Sequence, residues 1–213
     1  MSEAVFDDKE PFLGQPLRAA AVLCRTEQGN LHTGLLYKNG ESACVLHLGW
    51  QDRLSKEWTW PRLWAAPDVE PERLLSVAGY CRLIWNRYEQ DRKFPYAIQF
   101  SGTTFDIQGQ LVFGENSRGL TCASFVLAIF LSMGITLVDE SDWPVRPEEG
   151  RKFLKAAEEI ASPDHSALLR AEVEAGCVGI LPDEVLGACG CPLPAKYEPT
   201  RAAADRVLKK LDS

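Results

Sequence analysis

Histidine is scarce in this chain: three residues in 213. Basic charge is short as well. Lys and Arg number 23 against 30 Asp and Glu, for a formal net charge of −7. That balance argues against a nonspecific nucleic-acid binder and against a polybasic membrane surface. Long apolar runs are missing. The longest, "CASFVLAIFLSMGITLV", is broken by Ser124, Ser132 and Gly134, so no stable membrane anchor is expected. The first residues, "MSEAVFDDKEPFLGQP", are acidic and lack an apolar segment, so no secretory signal is expected. There is no CxxC pair, no internal repeat and no low-complexity segment. Seven cysteines, an odd number in a chain of this size, do not suggest a complete disulfide framework. A reducing, cytoplasmic setting is the expectation, with signal-less secretion as the alternative.

What is present suits a packed protein. The chain is 46% hydrophobic and 25% charged, enough for a sizeable core. "LRAAAVLCR" reads as a strand and "EQGN" as a turn. "LHTGLLY" and "SACVLHL" flank "KNGE", a hairpin signal. "GWQDRLSKEWTWPRLWAAPDVEP" has tryptophans without a period and reads as a packed loop whose rings could border a substrate groove. Residues 71–93 read as a helix, with Leu74, Leu75, Ala78, Cys81, Arg82 and Trp85 at helical spacing and Pro71 in the first turn. "FPYAIQF", "TTFDIQ" and "QLVFG" read as short β segments. A helix is expected from Thr121 to Met133, stopped by Gly134. "RPEEGRKFLKAAEEIA" and "DHSALLRAEVEAG" read as a helical pair, "LPDEVLGACGCPLPAKYEP" as turn-rich, and "TRAAADRVLKKLD" as a closing helix.

Two of the three histidines, His32 and His47, fall in the hairpin. With Asn39 and Gly40 as the turn residues, facing positions sum to 79, as do 32 and 47. The two rings are thus expected directly opposite each other on one face, where one imidazole can orient the other. His165, in "SPDHSALL", is expected on the surface near a helix start.

Cys122 follows Gly119 and Thr121 and opens an apolar helix. A thiol in a first turn meets unpaired N–H groups and the positive end of the helix dipole, both of which favour a thiolate. Thr121 can cap the helix. Cys24, Cys44, Cys81 and Cys177 sit in apolar patterns and read as core. Cys189 and Cys191, separated by one glycine, read as free thiols.

These residues, in this order, resemble a family. "LHTGLLYKNGESACVLHLG", then a helix and "KFPYAIQF", then "LTCASFV", is similar to the circularly permuted NlpC/P60 group of the papain-like superfamily. Its relatives include the lecithin retinol acyltransferase-like proteins, the bacterial permuted amidase-like proteins and the PPPDE peptidases. His32 fits the strand histidine of "HTG", His47 the second histidine of "VLHL", Cys122 the cysteine of "CASFV", and Tyr96 the tyrosine ahead of it. Two positions depart from the pattern. Ala97 follows Tyr96 where an Asp is common, and Thr121, not Asn, precedes Cys122. The resemblance covers roughly residues 20 to 135.

The resemblance implies an α+β, permuted papain-like (NlpC/P60-like) fold, with a small antiparallel sheet against the cysteine-bearing helix. Residues 1–140 would be the catalytic domain and 141–213 a helical C-terminal extension packed on it. It further implies a cysteine peptidase or amidase-like hydrolase acting through a thioester acyl-enzyme, with Cys122 as nucleophile, His32 as base and His47 as orienter. The Cys122 N–H, with Tyr96 as oxyanion or substrate candidate, would hold the developing negative charge. No cofactor and no metal are expected. The expected substrate is a peptide, protein conjugate or acyl compound. Two alternatives stand beside this: a thiol acyltransferase or lipid acylhydrolase, and a non-catalytic or zinc-binding protein using His32, His47 and Cys122.

Overall fold

The computed structural model describes residues 6–7, 12–13, 18–49, 53–57, 63–91, 94–115, 117–158 and 163–213. The protein is a mixed α+β structure. Strands β1 (Phe6–Asp7), β2 (Ala19–Arg25), β3 (Leu31–Asn39), β4 (Ser42–Gly49), β5 (Arg53–Glu57) and β6 (Leu63–Ala65) form one sheet in the order β1-β6-β2-β3-β4-β5. Every neighbouring pair in it is antiparallel. Two-residue strands β7 (Thr104–Phe105) and β8 (Leu111–Val112) make a second, small sheet. Among the described residues the helices are α1 (Pro71–Tyr88), α2 (Cys122–Ser132), α3 (Pro147–Glu158), α4 (Pro163–Ala175), α5 (Pro182–Cys189) and α6 (Tyr197–Leu211).

The central strands β2, β3 and β4 are buried along almost their whole length. Their sequences are near-continuous apolar runs because helices cover them. Helix α2 packs against β3 and β4, α1 against β2 and β3, and α5 against β2, β3 and β6. Leu35, Leu46, Phe125, Val126, Ile129, Val185 and Ala188 all belong to one hydrophobic core. That core therefore contains residues from both sides of position 140. A smaller cluster holds the α3–α4 pair. There Ile98 and Leu169 pack with Phe153, Leu154, Val173 and Cys177.

The hairpin register differs from the sequence expectation. Asn39 pairs with Ser42 and Leu35 with Leu46, so facing positions sum to 81, not 79. Gly40, at φ +67°, is the first residue of the two-residue turn and Glu41 the second. The positive φ therefore falls on the residue that tolerates it best, and Asn39 stays in the strand. Moving the turn by one residue changes the sum by two. Side-chain parity survives, and His32 and His47 remain on one face.

Other expectations are corrected too. The tryptophan-rich segment is not a loop throughout, since β5 and β6 lie within it. Trp64 is buried against Phe12, with ring centroids 5.3 Å apart. Trp50, Trp58 and Trp60 lie outside the described residues. "LPDEVLGAC" is helix α5, not turn-rich chain. Its charged first turn hid it, because Asp183 and Glu184 are buried here and paired with arginines. "FPYAIQF" joins no strand. Its Pro95 carbonyl accepts from Leu120 N–H at 2.8 Å, and the Ile98 N–H donates to Glu172 at 2.8 Å. Leu75 is half exposed and off the buried face of α1, where Val77 and Ile84 lie instead. No helix among the described residues is long and apolar enough to cross a membrane.

Candidate functional site

Cys122 is the first residue of α2, and the chain before it is held at three points. Thr121 is the N-cap. Its side-chain oxygen accepts from Ser124 N–H at 3.1 Å, and its own N–H donates to the Ser124 hydroxyl at 2.7 Å, which completes a capping box. Leu120 is tied to Pro95 as described. Gly119 allows that approach: a Cβ there would lie 2.2 Å from the Pro95 carbonyl oxygen. Sequence order alone puts Tyr96 far from Cys122, but this crossing brings both to one cleft.

The cleft measures about 760 Å³. Cys122, His32, His47, Cys24, Glu57 and Tyr96 all line it. The C-terminal part of the chain adds a wall with Arg146, Phe153, Cys177 and Ile180. The Tyr96 ring stacks on Phe153 at 5.1 Å, nearly parallel. The region expected to be a C-terminal extension packed on the domain therefore also lines the cleft. Glu184 fixes that wall. It is fully buried and accepts from both Arg146 Nη1 at 2.6 Å and Nη2 at 2.9 Å, and from the Leu181 N–H at 2.9 Å.

His32 and His47 touch. Nε2 of His32 is 2.9 Å from Nδ1 of His47, with the rings edge to face at a centroid distance of 5.0 Å. They are diagonal neighbours, not facing ones, which corrects the expected pairing. The strand neighbour of His32 is Cys24 on β2, and the register continued by one residue sets His47 beside Gly34. Gly34 makes the diagonal contact possible. A Cβ on it would lie 2.8 Å from the His47 Cβ and 2.9 Å from the Leu46 carbonyl. The far nitrogen of His47, Nε2, meets Glu57 Oε1 at 3.2 Å.

Burial governs the electrostatics. It lowers His32 to a pKa of about 4, helped by the neighbouring His47, and lowers His47 to about 4. Both rings are neutral at pH 7. Burial raises the Cys122 thiol to about 11, although the backbone N–H groups of Thr33, Ala123 and Cys122 itself pull the other way. The helix end contributes as expected, but desolvation outweighs it. Cys24 is raised further, to about 12, by burial and by Cys122 beside it.

All seven cysteines are free thiols. Cys24, Cys44, Cys81 and Cys189 are buried, whereas Cys122, Cys177 and Cys191 are partly exposed. His165 stands in the first turn of α4, and its side chain lies outside the described residues. Among the described residues no group of three or more His, Cys, Asp or Glu side chains has the arrangement of a metal site. His32 and His47 direct ring nitrogens at each other, where a shared metal would need them turned toward it.

The sequence reading missed Glu57 and the C-terminal wall, while Cys24 is buried as read. Glu57 lies on an edge strand inside a segment read as loop, and "RLSKE" is too short and polar to signal a strand. Compared with family models, curated proteins and solved structures, the chain matches none.

Proposed function

We propose that the protein is a cysteine hydrolase that cleaves an amide bond, in a peptide or an isopeptide conjugate, on a permuted papain-like (NlpC/P60-like) fold. The observation that carries this reading is the His32–His47 contact in the same cleft as a helix-start cysteine. A nucleophile, a base and a group that holds the base are the parts such chemistry requires. With both rings neutral and the thiol protonated, proton transfer accompanies attack. His32 takes the Cys122 proton as the sulfur bonds to the carbonyl carbon. The oxygen of that carbonyl becomes an oxyanion, which the Cys122 N–H and the Tyr96 hydroxyl stabilise. The intermediate collapses, the C–N bond breaks, and the amine leaves with the proton from His32. Water, deprotonated by His32, then attacks the thioester and releases a carboxylic acid and the thiol.

A second reading, acyl transfer or lipid acyl hydrolysis, has its own support in the apolar side chains of the cleft: Leu31, Leu48, Ile98, Phe153 and Ile180. It uses the same acyl-enzyme with a different donor or acceptor.

An electrophilic acyl probe, followed by peptide mapping, tests the common step. The expected adduct is on Cys122, absent in Cys122→Ala and formed at least tenfold more slowly in His32→Ala, in line with a general-base contribution of about 10²–10⁴. An adduct confined to Cys177 and Cys191, with Cys122 unmodified, would refute the reading. Amide, phospholipid and thioester substrates offered in parallel then separate the two forms of it.

A further inference from the structure

A buried imidazole pair has two ways to share its protons, and only one leaves a base. Suppose His47 carries its proton on Nδ1. It then donates to Nε2 of His32, whose proton must sit on Nδ1, and His32 has no lone pair left for the thiol. Suppose instead that His47 carries its proton on Nε2. Its Nδ1 then accepts the Nε2 proton of His32, and Nδ1 of His32 is the basic nitrogen. Both arrangements satisfy the 2.9 Å contact equally. The contact alone therefore does not make His32 a base.

We propose that Glu57 is the positioning residue that decides between them. Its Oε1 lies 3.2 Å from Nε2 of His47, and a carboxylate only accepts hydrogen bonds. His47 then donates from Nε2, and Glu57 sets the order of protons along Glu57–His47–His32. The proposal rests on the Cys122 hydrolase reading for its consequence, but not for the proton order itself.

The fold supports this role. In β5, Ser55 is the neighbour of His47 and Glu57 the neighbour of Val45, so Glu57 reaches His47 along the diagonal, as His32 does from the other side. Lys56, next to Glu57, points to the opposite face of the strand, where its Nζ lies 4.5 Å from the centre of the Trp85 ring. The pairing of β5 with β4 sets the register that presents Glu57 to His47, and this contact lies on the other face. Glu57 itself is 44% exposed, so its carboxylate stays hydrated while one oxygen serves His47, which is only 8% exposed.

Nuclear magnetic resonance of ¹⁵N-labelled imidazoles tests the proton order without any substrate, because the chain has only three histidines. In the full-length wild type at pH 7, His32 and His47 are each expected to show a protonated Nε2 and a bare Nδ1. In Glu57→Ala the two rings are expected to shift toward the Nδ1-protonated form or to average between forms. Glu57→Gln, which keeps the shape and whose amide can accept or donate, should fall between. In parallel, kcat is expected to drop about 2- to 10-fold in Glu57→Ala with KM unchanged. That is far short of the roughly 10⁴-fold loss when a catalytic histidine is locked in the wrong tautomer. A wild-type His47 protonated on Nδ1 would overturn the proposal. So would wild-type proton positions on both rings in Glu57→Ala and in Glu57→Gln. If the ring signals behave as expected while Cys122→Ala retains full turnover, Glu57 does order the protons, and it is the hydrolase reading that fails.

Discussion

Nε2 of His32 lies 2.9 Å from Nδ1 of His47, although the two residues are diagonal in the hairpin and Gly34 stands directly beside His47. A side chain on Gly34 would press on the His47 Cβ, 2.8 Å from where its own Cβ would lie. The His32–His47 contact joins the candidate base to a second ring that is itself held by Glu57. The expected behaviour of variants follows from that chain of contacts.

The two histidines are expected to differ in cost. Cys122→Ala should abolish turnover, and His32→Ala should cut it by about 10²–10⁴-fold as a lost general base. His47→Ala should leave a measurable remainder. His47→Gln should recover part of the loss, because its amide oxygen can accept the Nε2 proton of His32. Turnover of an amide substrate, with circular dichroism to verify folding, gives the ranking. Full activity in both His→Ala variants would end the assignment.

Gly34→Ala is expected to destabilise the protein by about 1–3 kcal/mol, the usual range for overpacking a tight site. The added methyl would meet the Leu46 carbonyl at 2.9 Å, and backbone does not move aside as a flexible side chain would. His47 must also shift, so activity should fall by more than the lost stability explains. Urea unfolding and turnover on the same sample measure both. A variant equal to wild type in both would mean that the diagonal contact is dispensable.

Acid should weaken the fold through the same two rings. An unfolded histidine titrates near 6.5, whereas His32 and His47 in the folded protein titrate near 4. Between those values the unfolded chain binds protons that the folded one does not, so stability falls as pH drops from about 6.5 to about 4. At about 1.4 kcal/mol per pKa unit, the loss is on the order of 3 kcal/mol for one ring. Urea midpoints at several pH values, compared with a His32→Gln, His47→Gln double variant, isolate the contribution. The double variant should have the shallower dependence, and an unchanged slope would mean that neither ring is held neutral. The fall of kcat/KM in acid should likewise come near pH 4 and not near 6.5.

The N-cap sets the position of the nucleophile as well as the helix. Thr121→Ala removes one side of the capping box and should cost about 1 kcal/mol, while Thr121→Ser should stay within a few tenths. Since Cys122 is the next residue, probe labelling of Cys122 should slow in Thr121→Ala and recover in Thr121→Ser. Equal labelling in both would show that Leu120 and Gly119 hold the turn without the cap.

Much of this site was legible because its parts are local. A helix start is written in Gly119, Thr121 and the apolar run behind Cys122, and strand parity puts His32 and His47 on one face in either register, since a two-residue change in the pairing sum preserves it. The precise contact was not legible. The choice between Asn39–Gly40 and Gly40–Glu41 as turn residues is a matter of small backbone energies that the whole sheet settles. Glu57 was out of reach for a related reason: an edge strand as polar as "RLSKE" becomes a strand only because β4 is there to pair with it. The raised Cys122 thiol and the C-terminal wall of the cleft were also tertiary outcomes. The sequence by itself determined which residue types stand at the helix start and on the hairpin face, because capping and alternation act over a few residues. Only the tertiary structure decided how deeply those groups are buried and which carboxylate reaches them, because desolvation and long-range pairing depend on chain brought in from ten or more residues away.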